Sequence, residues 1–141
     1  MKALSHNVLP AIGFKDGART AAANGDAIID LAGFEGALIV IASGTITDGT
    51  SYEFELKEGD NSALSDAAAV ADGDLVAGGP ASADKEPTFL AADDDHIHWF
   101  SYIGSKRYIR IDLKTVVGSP ATGGHFMGQV LKGFPRHAPV V

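Results

Sequence analysis

An antiparallel β-sandwich, jelly-roll-like and with extended terminal arms, is the fold this chain predicts, and three observations lead there. Short β-branched or alternating apolar runs recur along the chain, separated by frequent turn signals. Seventeen glycines in 141 residues, many beside Asp, Ser or Thr, supply those turns. No segment of helical length carries a sustained 3.6-residue apolar period. At this length one domain is expected, large enough to bury roughly two thirds of its unfolded surface.

Residues 1–24 have weak periodicity and read as an N-terminal arm, with at most one edge strand. The sandwich domain is placed at 25–133 and an extended tail at 134–141. Residues 26–31 read as a strand that ends in a turn between Gly33 and Gly36. Residues 37–43, Ala-Leu-Ile-Val-Ile-Ala-Ser, form a continuous apolar run bounded by glycines, the mark of a buried strand. Asp48-Gly49 is a tight-turn signal, because Gly accepts positive φ. In residues 51–58, Tyr52, Phe54 and Leu56 alternate with Glu53, Glu55 and Lys57, which describes a strand with one dry and one wet face. Residues 59–62 form a loop. Residues 65–71 read as a short helix capped by Ser65 or Asp66. Residues 72–84, rich in Gly, Ala, Pro and acids, read as a long surface loop. Strands are expected at 88–92, 96–102, 106–113 and 125–131, with turns at Asp93-Asp94-Asp95, Gly104-Ser105 and 116–124. Pro135 and Pro139 keep the tail out of any sheet centre.

The net charge of −7 conceals a polarity: residues 101–141 carry six Lys/Arg and one acid, Asp112, whereas residues 1–100 carry five Lys/Arg and seventeen acids. Such opposed segments suit assembly with further copies or with a charged partner. The acidic total argues against general nucleic-acid binding. In Lys106-Arg107-Tyr108-Ile109-Arg110, strand alternation puts Arg107 and Arg110 on opposite faces, so a salt-bridged sheet face is the reading preferred over a nucleic-acid patch. The absence of cysteine excludes disulfides and thiolate metal sites and fits synthesis in the cytosol. The N-terminal residues lack the apolar core of a signal peptide, and no apolar run approaches the ~20 residues of a membrane helix. No membrane partner is expected.

His96-Ile97-His98 would set two imidazoles on one strand face, a pair that cupin jelly rolls use for a metal. No Glu follows between Trp99 and Gly104, so a polar strand face or a subunit contact is preferred. Asp93-Asp94-Asp95 lacks the spaced ligands and closing Glu of a calcium loop and reads as a solvated turn. There is no Gly-x-Ser-x-Gly run, phosphate loop or dinucleotide fingerprint. No enzyme, metal or cofactor is expected.

Two blocks, Tyr102-Ile103-Gly104-Ser105-Lys106-Arg107-Tyr108-Ile109-Arg110 and Gly133-Phe134-Pro135-Arg136-His137-Ala138-Pro139, stand with residues 44–50 and the strand Tyr52-Glu53-Phe54-Glu55-Leu56. Together they resemble a family of small structural proteins of tailed bacteriophages, whose genes tend to lie beside that of the major capsid protein. The resemblance spans residues 26–141; the stretch 63–83 and the three aspartates match no motif in it. It implies a virion protein, made in the bacterial cytoplasm, that decorates and cements the outer capsid surface. The implied partners are the major capsid protein and further copies of this chain, a trimer being favoured over a dimer. It brings no catalytic residues. The contact candidates are Lys106, Arg107, Arg110, Phe134, Arg136 and His137. A head–tail joining or tail protein, and a carbohydrate-binding β-sandwich module, are the alternatives.

Overall fold

The computed structural model describes residues 3–79 and 85–137. Among these the strands are β1 (Val8–Arg19), β2 (Ile29–Asp30), β3 (Phe34–Ile46), β4 (Ser51–Gly59), β5 (Ala68–Ala69), β6 (Leu75–Gly79), β7 (Thr88–Leu90), β8 (Ile97–Tyr102), β9 (Tyr108–Val117) and β10 (Gly124–Pro135). They form two antiparallel five-stranded sheets packed face to face, the β-sandwich that the sequence predicts. The first sheet runs β1-β10-β3-β8-β6. The second runs β2-β9-β4-β5, with β7 also paired to β4. β5 and β7 occupy opposite ends of one edge of β4. Between them the Glu86 carboxylate accepts the Leu56 N–H at 2.6 Å, standing in for a missing strand residue.

The inward positions of both sheets alternate along their strands, as a half-buried sheet requires. Ile39 and Ile41 of β3 meet Phe54, Leu56, Ile109 and Ile111 in one core. Phe54 lies at the centre of an aromatic cluster, with its ring edge-on to Phe14, Phe89 and Phe126 at 5.3–5.8 Å between centroids.

Several local expectations give way to the structure. The stretch read as an N-terminal arm holds the one edge strand allowed there, but it is long and integral to the sheet: β1 pairs with β10 from Val8 opposite Gly133 to Arg19 opposite Gly124, and Phe14 is wholly buried. Bulges near Phe14 break its two-residue period, which is why no strand pattern is visible there. No helix forms at 65–71. The Asp66 carboxylate instead accepts the N–H groups of Asp60 and Asn61, and Ala68–Ala69 pairs with β4. A run this short repays too little of the nucleation cost of a helix. The loop read at 72–84 contains β6, where Leu75 enters the core. The tail begins inside the sheet: Pro135 lies opposite Phe34, beyond Val8, the first residue of β1, where its missing N–H leaves no ladder bond unmade. Residues 138–141 lie outside the described residues.

Candidate functional site

The basic third of the chain is engaged mainly with the acidic remainder of the same chain. Lys106 pairs with Asp60, Arg107 with Asp30, Lys114 with Glu53 and Arg136 with Glu35. Arg110 pairs with Asp112 two residues along β9. Lys132 donates to the Asp30 carbonyl at 3.2 Å and stands 4.9 Å over the Phe34 ring. The two segments of opposite charge are therefore largely matched within the fold. Four of these pairs are exposed, and such pairs contribute little stability. Their geometry still fixes the loops that carry them.

The two sequence blocks quoted above converge at one end of the sandwich. Lys106, Arg107 and Arg136 line one pocket of about 450 Å³ with residues 31–36. Arg107 grips Asp30 through two parallel N–H···O bonds, Nε to Oδ1 and Nη2 to Oδ2, both 2.9 Å, and its guanidinium holds the Asp30 carboxyl below its ordinary range. The Leu31 N–H donates to the Arg107 carbonyl, and the Arg136 N–H to that of Gly33. The Tyr102 hydroxyl donates to Glu58 at 2.6 Å and accepts the Lys106 N–H at 3.0 Å, which ties the 103–106 loop to the core. Burial, with Glu58 alongside, pushes that phenol well above its usual pKa.

Next to this pocket, and sharing Glu35, Gly36 and Tyr102 with it, lies an apolar groove of about 860 Å³. Leu4, Val8, Leu38, Val76, Ile103 and Leu131 supply its apolar lining, and Phe134 stands at its edge. Phe134 is 79% exposed and holds φ at +51°, a left-handed conformation that bulky residues rarely adopt. Its ring lies over Gly36, where a Cβ would come within 3.3 Å of it.

The groove is the end of a larger surface. Register places one row across the outer face of the first sheet as Pro10, Leu131, Leu38, Ser101 and Val76. The next row is Ile12, Gln129, Val40, Trp99 and Gly79, followed by Met127, Ala42 and Ile97. None of these residues is charged; at the β1 end of the third row the bulge sets Lys15 and Asp16 opposite Met127. The outer face of the second sheet differs: Glu55 lies opposite Asp112 and Lys57 opposite Arg110, with the Lys57–Glu55 and Lys114–Glu53 pairs across it. Trp99, 40% exposed, rests on the β6 backbone; a Cβ on Gly79 would come within 2.7 Å of its ring. Its neighbour Phe100 points into the core.

Of the six contact candidates, the structure brings Lys106, Arg107, Phe134 and Arg136 to this one end, and His137 is exposed beside Arg136. Arg110 stands apart: it is half-buried against Asp112, which also accepts the Gly25 N–H at 2.8 Å. Of the two histidines, only His98 lies within a strand. His96 precedes β8, with Nδ1 on the Asp94 carbonyl at 2.9 Å. His98 is half-buried in β8, and burial lowers its pKa. The three aspartates build a turn: Asp93 accepts the Leu90 N–H, Asp94 the Ile46 N–H, and Asp95 takes φ +54°. Among the described residues, no group of three or more His, Asp or Glu side chains is placed to hold a metal ion. Sequence reasoning missed the uncharged face because residues 37–42 look like a strand buried on both sides, whereas Leu38, Val40 and Ala42 face outward and are only partly covered.

The chain matches no protein-family model, no curated protein and no solved structure.

Proposed function

We propose that this chain is a structural protein of a phage virion, a decoration or cement protein that binds the outer head surface and bridges major capsid protein subunits. The observation that carries the reading is the corner where the 102–107 loop and the end of β10 converge. An exposed aromatic in a left-handed conformation overhangs an apolar groove there, framed by loops pinned by Arg107–Asp30 and Arg136–Glu35. A surface aromatic over a preformed apolar recess has the composition of an interface hot spot. Repetition over the symmetric shell then multiplies a modest contact.

Densitometry of purified particles tests the role. A decoration protein is present in hundreds of copies; about a dozen or fewer, as cyclic symmetry at a single vertex dictates, would favour the head–tail joining alternative. Adding purified chain to heads that lack it tests the corner. Phe134→Ala should lower occupancy at a fixed concentration, and unchanged occupancy would remove the corner from the contact. The carbohydrate-binding alternative rests on Trp99, a 40% exposed indole beside Gly78 and Gly79 of β6; binding on a glycan array that Trp99→Ala abolishes would favour it.

A further inference from the structure

We propose that the uncharged outer face of the β1-β10-β3-β8-β6 sheet pairs with the same face of a second copy across a twofold axis, with Trp99 near its centre. The proposal rests on the assembly reading only in asking for a partner; the choice of partner comes from charge and area. Two chains of net charge −7 repel at a distance, and the outer face of the second sheet carries Glu53 and Glu55. The rows through Leu38 and Val40 have no charge at all, and Lys15 and Asp16 of the β1 bulge lie at one corner, opposite Met127, so two copies can meet over the centre of the face without bringing like charges into contact. A capsid partner needs no such neutrality.

The size fits too. With Val8, Gly133 and Gly36 as a further row, the face has sixteen positions, each about 4.8 Å by 6.8 Å, or roughly 520 Å². Two such faces bury about 1,040 Å², which reaches the ~1,000 Å² that a specific interface needs. Ile12 and Ile97, each about half exposed, flank Val40 and Trp99, so each copy has large side chains to interdigitate. A flat face paired with itself closes as a dimer and has no second surface from which to grow, in place of the trimer that the resemblance implies. Pairing covers the part of the groove formed by Leu38, Leu131, Ser101 and Val76, so a capsid meets Phe134 itself and the pinned loops beside it.

Sedimentation of the purified chain over a concentration series, with no capsid present, tests this. The expected result is a monomer–dimer equilibrium that Trp99→Lys, and independently Ile97→Glu, weakens at least 100-fold while circular dichroism stays native. The chain has no cysteine, so a single introduced thiol reports position cleanly. Gln129→Cys should give a covalent dimer with a bismaleimide, and Glu55→Cys on the charged sheet should not. A monomer at every concentration, a trimer, or a dimer that ignores both substitutions and crosslinks through Glu55→Cys overturns the proposal. Head occupancy is a separate measurement, so a parent chain that is monomeric at every concentration yet saturates heads would refute the pairing and leave the decoration role standing.

Discussion

Removing the Asp112 carboxylate should destabilise the protein more than the loss of any surface ion pair. Asp112 is only 4% exposed and lies on β9 between the sandwich core and the strap that links β1 to β2. Oδ1 receives both Arg110 Nε at 2.6 Å and the Gly25 N–H at 2.8 Å, and Oδ2 receives Arg110 Nη2 at 2.8 Å. The strap has no slack, since a Cβ on Gly25 would collide with the Ile111 carbonyl. Asp112→Ala leaves a half-buried guanidinium with no counter-charge, an error that costs about 3–5 kcal/mol. For a domain of this size, that is a fall in Tm of roughly 10–20 °C. Replacing both partners, Arg110→Met with Asp112→Leu, removes the orphaned charge and leaves only the Gly25 N–H unmet, at about 1–3 kcal/mol. The double variant should therefore be more stable than Asp112→Ala alone. Urea unfolding followed by circular dichroism at one fixed protein concentration measures all three, because self-association would otherwise shift the midpoints. An Asp112→Ala variant within 1 kcal/mol of the parent would refute the reasoning, since the pair would then behave as a solvated one.

Three further outcomes are expected. Burial raises the pKa of Glu86, with Glu55 and Glu53 adding to it, so the native state holds this proton more tightly than the unfolded chain and stability falls as pH rises through the folded pKa. Glu86→Gln keeps an oxygen for the Leu56 N–H and should raise Tm by roughly 1–3 °C at pH 7.5, with the gain vanishing below the ordinary carboxylate range; a thermal melt series in pH checks it. Asp48 accepts the N–H groups of Gly123, Ala121 and Thr122, which lower its pKa, so its contribution is present above the ordinary carboxylate range and lost as pH falls through the lower folded value. Asp48→Ala should lower Tm at pH 7 and match the parent in strong acid. Phe54→Ala, at the centre of four packed rings, should cost about 3–5 kcal/mol by urea unfolding.

How much was legible in the sequence depended on whether one rule governed a segment. β4 was clear because Tyr52, Phe54 and Leu56 sit between a charged outer face and a dry core, and one period states both. The Asp48-Gly49 turn was equally clear, since the φ of +90° at Gly49 is a local demand that one residue answers. β1 was hidden by its bulges, and β6 by its brevity and by glycines whose purpose is tertiary: they make room for Trp99. The corner of the candidate site was half legible. Its two blocks stood out as strings, but their meeting is set by pairing Pro135 with Phe34 and Leu31 with Arg107 across 101 and 76 positions of chain. The ion pairs were unreadable for the same reason: composition gives the sign of each segment and says nothing of which acid each cation finds.

That last point changes what a charge reversal can test. Lys106, Arg107, Lys114 and Arg136 already face acids from the first hundred residues, so the polarity of the chain is mainly a device for closing the fold. Arg110→Glu would place a third carboxylate group beside Asp112 and Glu55 on the second sheet, and any loss of assembly would report unfolding. Deleting residues 1–20 would likewise remove an edge strand and the buried Phe14. The informative substitutions lie where the chain has no electrostatic business of its own. Trp99, Ile97 and Phe134 reach outward from residues whose backbones are fixed by neighbouring strands and loops, and none of their side chains lies in the buried core. A change there alters what a partner meets while leaving what holds the molecule together, and assembly lost at those positions with the fold retained would locate the contact.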